Sequence, residues 1–111
     1  MYRSSQRQCL LSLARESILS GVESGKALKV KLSDYDPALQ EVRASFVTLH
    51  ARGQLRGCLG SLEAYRALAE DVAQNAYAAA FRDPRFEPVQ RVELGDLQLG
   101  LSVLTPSIEL T

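Results

Sequence analysis

The feature that most constrains this chain is a pair of strand-forming runs, ASFVTLH at 44–50 and QLRGCLG at 54–60, joined through Arg52-Gly53. Phe46, Val47 and Thr48 are good strand formers, and glycine supplies the positive φ that a two-residue hairpin turn demands. A hairpin turning at Arg52-Gly53 pairs Ala51 with Gln54 and His50 with Leu55. Continued without interruption, the register pairs Leu49 with Arg56, Thr48 with Gly57 and Val47 with Cys58. Strand side chains alternate, so one face carries Val47, Leu49, Arg56 and Cys58. The other carries Phe46, Thr48, His50, Leu55, Gly57 and Leu59. Both faces are largely apolar, and cover on both sides is expected.

Two helices flank this hairpin in sequence. Leu10, Leu11, Ala14, Ile18 and Val22 form one stripe and predict a helix over residues 5–22, with Ser5 and Gln8 at capping-box spacing and Gly21 or Gly25 as the stop. A polar connector, 23–43, turns at Asp34, Asp36 and Pro37 and has room for a short helix. Tyr65, Leu68, Ala69, Val72, Ala73, Ala76, Tyr77 and Ala80 predict the strongest helix, 62–82, with Ser61 as N-cap and Asp83-Pro84 as the stop. Leu97, Leu99, Leu101 and Val103 alternate and predict a half-buried strand over 97–105, ended by Pro106. The order helix, hairpin, helix, strand reads as an α+β fold, with a mainly antiparallel sheet flanked by helices.

Composition narrows the function. The 111 residues carry 13 Lys+Arg against 13 Asp+Glu, and 46% are apolar, which suits one soluble domain. Balanced, interspersed charge speaks against a polybasic nucleic-acid arm. Two distant cysteines, Cys9 and Cys58, speak against a disulfide framework. The apolar stretch from Cys9 to Ala14 is broken by Arg15 and Glu16, far short of the roughly 18 residues of a membrane span. A cytoplasmic chain with reduced thiols is expected, with neither nucleic acid nor membrane as partner.

The oddest segment is Leu55 to Gly60. Two glycines in one short strand weaken it, and each needs a reason: a bulge, a close backbone or a ligand. In the uninterrupted register Arg56 and Cys58 share a face, where a guanidinium would favour the thiolate. The same register puts His50 on the opposite face from Cys58, against a Cys–His dyad. Asp83 follows a helix C-terminus, an unfavourable place for an anion, so it needs a cationic partner: Arg82, Arg85 or Arg56. Asn75 and Glu93 are further candidates for the same cleft. One histidine and distant cysteines give no metal-ligand spacing, and no glycine-rich phosphate loop of the usual spacing is present.

These residues carry a resemblance. LRGCLG at 55–60, FVTL at 46–49, the Ala-rich helix, DPRF at 83–86, Glu93-Leu94 and SVLT at 102–105 resemble, in order, the AMMECR-one domain family. The resemblance implies an α+β fold of unestablished activity, with the LRGC segment as the functional site. It also implies the A component of the AmmeMemoRadiSam system, associated with a Memo-like protein and a radical-SAM protein. The expected function is a non-autonomous component that binds a small anionic ligand or a partner protein. Arg56 would hold the anion, Gly57 and Gly60 would admit the ligand to the backbone, Cys58 would line the pocket, and Asp83 and Arg85 would orient Arg56 or form the rim. The alternative is a thiol enzyme with Cys58 as nucleophile or redox residue. Neither reading calls for a cofactor. Members of the family continue beyond the SVLT strand, so residues 1–111 are expected to be the N-terminal and central part of a longer domain. Apolar surface left open there predicts self-association.

Overall fold

The stripe Leu10, Ala14 and Ile18 seats the first helix, α1 (Ser4–Ser24), on the core. The computed structural model describes residues 2–104. The capping box forms two residues earlier than the sequence predicts: Gln6 Oε1 accepts the Arg3 N–H at 2.8 Å. Gln6 is the better choice because its amide also donates to Asp36 at 3.2 Å, tying the helix start to the connector. Gly25, left-handed at φ 76°, ends the helix. The connector is less polar in effect than in composition, since Leu28, Val30, Leu32 and Tyr35 pack over Leu13, Ala69 and Ala73. A short helix, α2 (Pro37–Gln40), is capped by the Asp36 carboxylate.

Strands β1 (Ala44–Ala51) and β2 (Gln54–Gly60) form the hairpin. Arg52 at φ 54° and Gly53 at φ 78° both occupy the left-handed region, as a type I′ turn requires. Ala51 pairs with Gln54 and His50 with Leu55 as expected, but Leu49 then pairs with Gly57, Thr48 with Cys58 and Val47 with Leu59. The uninterrupted register is therefore overturned by a bulge whose extra residue is Arg56. Helix α3 (Leu68–Phe81) starts later than predicted, because the Ser61 hydroxyl is not a cap: it donates to Asp71 Oδ1 at 2.7 Å. A 3-10 segment (Arg91–Asp96) leads into β3 (Leu97–Leu104). The predicted end of that strand at Thr105 and Pro106 lies outside the described residues.

The sheet order is β2-β1-β3, antiparallel throughout. Helix α3 lies over β1 and β2, and α1 lies beside α3 and reaches β3. Val47, Leu49, Leu68, Val72, Ala76 and Ala79 fill the layer between. The architecture is α+β, with the helices of the described residues on one face of the sheet. The cover expected on the second face is absent among the described residues: His50, Leu55, Gln98, Gly100 and Ser102 are exposed. The bulge explains this, because the corrected register turns Val47, Leu49 and Leu59 all towards the helices. Among these residues no helix is long and apolar enough to cross a membrane.

Candidate functional site

The bulge decides where each residue of the Leu55–Gly60 segment points. Leu55 and Cys58 both face outward, opposite His50 and Thr48. The two residues between them, Arg56 and Gly57, therefore share the helix side. Cys58 Sγ lies 3.4 Å from Thr48 Oγ1, on the open face of the sheet. The expected pairing of Arg56 with Cys58 on one face does not occur. His50, expected on the opposite face from Cys58, shares its face.

Arg56 is instead forked onto Glu93, through Nε at 2.8 Å and Nη2 at 3.0 Å. Its side chain is 15% exposed, and Nη1 is buried without a hydrogen-bond partner. The hydrogen bond to Glu93 raises the Arg56 pKa against the opposing effect of burial. The same bond, led by the Arg56 guanidinium, lowers the Glu93 pKa. Glu93 also accepts the Gln90 N–H at 2.8 Å, so one carboxylate ties β2 to the 3-10 segment before β3.

Asp83 takes Arg85 as its cation, of the three that the sequence allowed. Its carboxylate accepts Arg85 Nε at 3.0 Å, Nη2 at 2.7 Å and the Arg85 N–H at 3.1 Å. It also accepts the Cys58 N–H at 3.0 Å. A loop residue thus occupies an outward-pointing donor of the edge strand β2, at the cysteine itself. Hydrogen bonds from Arg85 lead in holding the Asp83 carboxyl well below the usual range, despite its burial. The Arg85 side chain remains 57% exposed, and Cys58 lies within its electrostatic reach. Of the two arginines, Arg85 shares the Asp83 carboxylate with the Cys58 N–H, and Arg56 is held by Glu93 on the helix side.

The glycines have neighbours. A Cβ on Gly57 would stand 2.1 Å from the Ala79 carbonyl oxygen of α3, and one on Gly60 would stand 2.2 Å from the Phe46 ring. The room they leave is taken up by the protein itself. Asn75, proposed for the same cleft, belongs elsewhere. It joins a second network around Asp71, which is fully buried. Asp71 accepts the Ser45 N–H, the Ser45, Ser61 and Arg66 side chains at 2.7 Å each, and the Asn75 amide at 2.9 Å. Asp71 and Asn75 stand at i, i+4 within the apolar stripe of α3, and the sequence singles out Asn75 but not the buried carboxylate beside it. No group of three or more metal-ligating side chains occurs among the described residues.

The AMMECR1 family model matches residues 11–111. A Methanothermobacter thermautotrophicus protein is 38% identical over 97 residues, covering 87% of this chain and 50% of its own length. Protein SSO0193 of Saccharolobus solfataricus is 42% identical over 106 residues, covering 91% and 45% respectively. The crystal structure of the uncharacterised protein PH0010 from Pyrococcus horikoshii superposes with a TM-score of 0.87 at 34% identity, covering 94% of this chain and 53% of that one. The chain spans about half the length of the relatives it matches. The matched residues 11–111 include most of α1, all of α3, the bulged hairpin and the Asp83–Arg85 fork, and on that match this chain belongs to the AMMECR1 family.

Proposed function

We propose that the chain is a binding component that takes a small anionic ligand or a partner protein on the open face of its sheet, around Cys58. The observation that carries this reading is the Cys58–Asp83–Arg85 linkage. The Cys58 N–H and the Arg85 guanidinium meet on one buried carboxylate, so a half-exposed cation is anchored to the backbone of the residue that carries the outward thiol. Arg85 is the residue we assign to the anion. Arg56 and Gly57 support the segment from the helix side, and Gly60 gives Phe46 its place. The Memo-like and radical-SAM proteins to which the resemblance points are the partners we propose.

Amide chemical shifts recorded during titration with inorganic phosphate, and separately with a Memo-like protein, test this. Shifts at Cys58 and Arg85, weakened at least tenfold in binding by Arg85→Ala, are expected. Shifts confined to other surfaces for both probes would overturn it. The second reading, thiol chemistry at Cys58, is favoured by one observation: the bulge puts His50 on the same face. It requires that Cys58 be alkylated faster in the folded chain than in the unfolded one, and that His50→Ala slow the reaction.

A further inference from the structure

Three ion pairs have one largely buried member, and one of the three is built the other way round. At Arg66–Asp71 and Arg85–Asp83 the carboxylate is buried and the arginine lies further out. At Arg56–Glu93 the cation is the buried member, and the carboxylate is 32% exposed. Both buried acids are well satisfied, Asp71 by five donors and Asp83 by four. The Arg56 guanidinium is not. Glu93 answers only its Nε–Nη2 edge. Nη1 is buried and meets no acceptor among the described residues, an expensive state for a charged donor. The bulge put it there, since Arg56 is the extra residue, and bulges serve to re-aim side chains.

Glu93 is loosely held by comparison. It lies in the 3-10 segment Arg91–Asp96, which contains no buried residue, and its neighbour Val92 is exposed. The segment's other ion pairs, Arg91–Glu23 at 3.7 Å and Arg52–Asp96 at 3.4 Å, are exposed and contribute little. Segments with so little buried side chain open locally at low cost.

We infer that Arg56 is a receptor for a carboxylate and that Glu93 is its built-in competitor. An incoming carboxylate takes the guanidinium and releases residues 91–96. The Glu93 fork shows the chemistry that Arg56 accepts, a planar carboxylate bound through two parallel N–H bonds. A free carboxylate is not tethered to one approach, so the Nη1 side is open to it as well. Exchanging one carboxylate for another keeps the charge at Arg56 balanced. A phosphate dianion would instead add charge near Glu87, which already acts on Arg56 electrostatically. This site lies on the helix side of β2, and it does not rest on the reading of the Cys58 face.

Amide chemical shifts and amide exchange of the whole chain, in sodium acetate against sodium chloride at equal ionic strength, test this. Acetate is expected to shift Arg56 and Gly57 and to speed exchange of the Gln90 N–H, which Glu93 accepts. The Val89 N–H, held by the Ala80 carbonyl, should stay protected. Glu93→Gln weakens the competitor and should tighten acetate binding at least tenfold. Arg56→Gln should abolish it, and Arg85→Ala should leave it unchanged. If Glu93→Gln lowers the thermal midpoint, the Gln90 exchange in the wild-type chain decides alone. A short peptide with a free C-terminus, and the same peptide amidated, separate the sources: a chain end predicts that the free acid binds more tightly than acetate, a small acid the reverse. Acetate binding no tighter in a stably folded Glu93→Gln would overturn the inference. So would binding that survives Arg56→Gln, or Gln90 exchange indifferent to acetate.

Discussion

Replacing Gly57 by alanine separates two reasons for a glycine in the middle of a strand. If the position is free on the helix side, alanine should stabilise the strand by roughly 0.5–1 kcal/mol, because glycine loses more backbone freedom on folding. The structure predicts the opposite sign. The added carbon would stand 2.1 Å from the Ala79 carbonyl oxygen and 3.1 Å from its carbon. Opening the oxygen contact to 3.0 Å, the closest approach that real Cβ atoms show, needs about 0.9 Å of separation between β2 and α3. Both contacting groups are backbone of packed elements, so no rotamer change can supply it. Overpacking of a rigid core costs about 1–3 kcal/mol, and rigidity on both sides places this case near the top. Offset by the entropic gain, the net loss is about 2 kcal/mol. In urea, with a slope of about 1.5 kcal/mol/M, the midpoint should fall by more than 1 M. Gly100→Ala is the control, since its side is open, and its midpoint should stay or rise. A Gly57→Ala midpoint equal to or above wild type would refute the packing account and return this glycine to the approach of a ligand.

Further predictions concern the two polar networks. Asp71→Ala removes the shared acceptor of five donors, of which only the Asn75 amide keeps another acceptor, and should cost about 3–5 kcal/mol, enough to leave little stability in a thermal melt. A Glu93–Arg56 double-mutant cycle should give a coupling of about 1–2 kcal/mol, whereas the exposed Arg3–Asp36 pair should give less than about 1 kcal/mol. Asp83 and Glu93 both have lowered pKa values in the fold. Their contribution is fully present above the unfolded values of 3.8 and 4.5 and is lost as pH falls through the folded ones. Urea midpoints should therefore decline below about pH 4.5, and Glu93→Gln should flatten the upper part of that decline. A decline that begins near neutrality would contradict the assignment.

Much of the frame was legible because it rests on local rules. The Arg52-Gly53 turn, the stripe of α1 and the alternation of β3 each follow from the period or the torsion angles of a few residues. The bulge was not legible in the same way. The sequence signalled an irregular strand through Gly57 and Gly60, but not which residue was extra. One residue of slip beyond Leu55 moved Cys58, Gly57 and Leu59 to opposite faces. That single displacement parted Arg56 from Cys58, brought His50 to the thiol's side and left the second face of the sheet without apolar cover. Asp83 was recognised as an anion in need of a cation, and its choice of Arg85 two residues on required only the loop. Asp71 was missed because an acidic residue in a helix is ordinarily read as solvent-facing. Its partners Ser45 and Ser61 come from β1 and the hairpin's exit, which only the tertiary fold brings together.

The central claim is that Cys58 lies on an open, partner-facing surface held by Asp83 and Arg85. The most direct test is the alkylation rate of Cys58 in a Cys9→Ser background, measured in the folded chain alone and after addition of a Memo-like protein or inorganic phosphate. The account predicts ready reaction of the native thiol and protection by at least one of these probes, with Arg85→Ala abolishing the protection. A thiol that reacts only on unfolding, or at a rate indifferent to both probes, would contradict it.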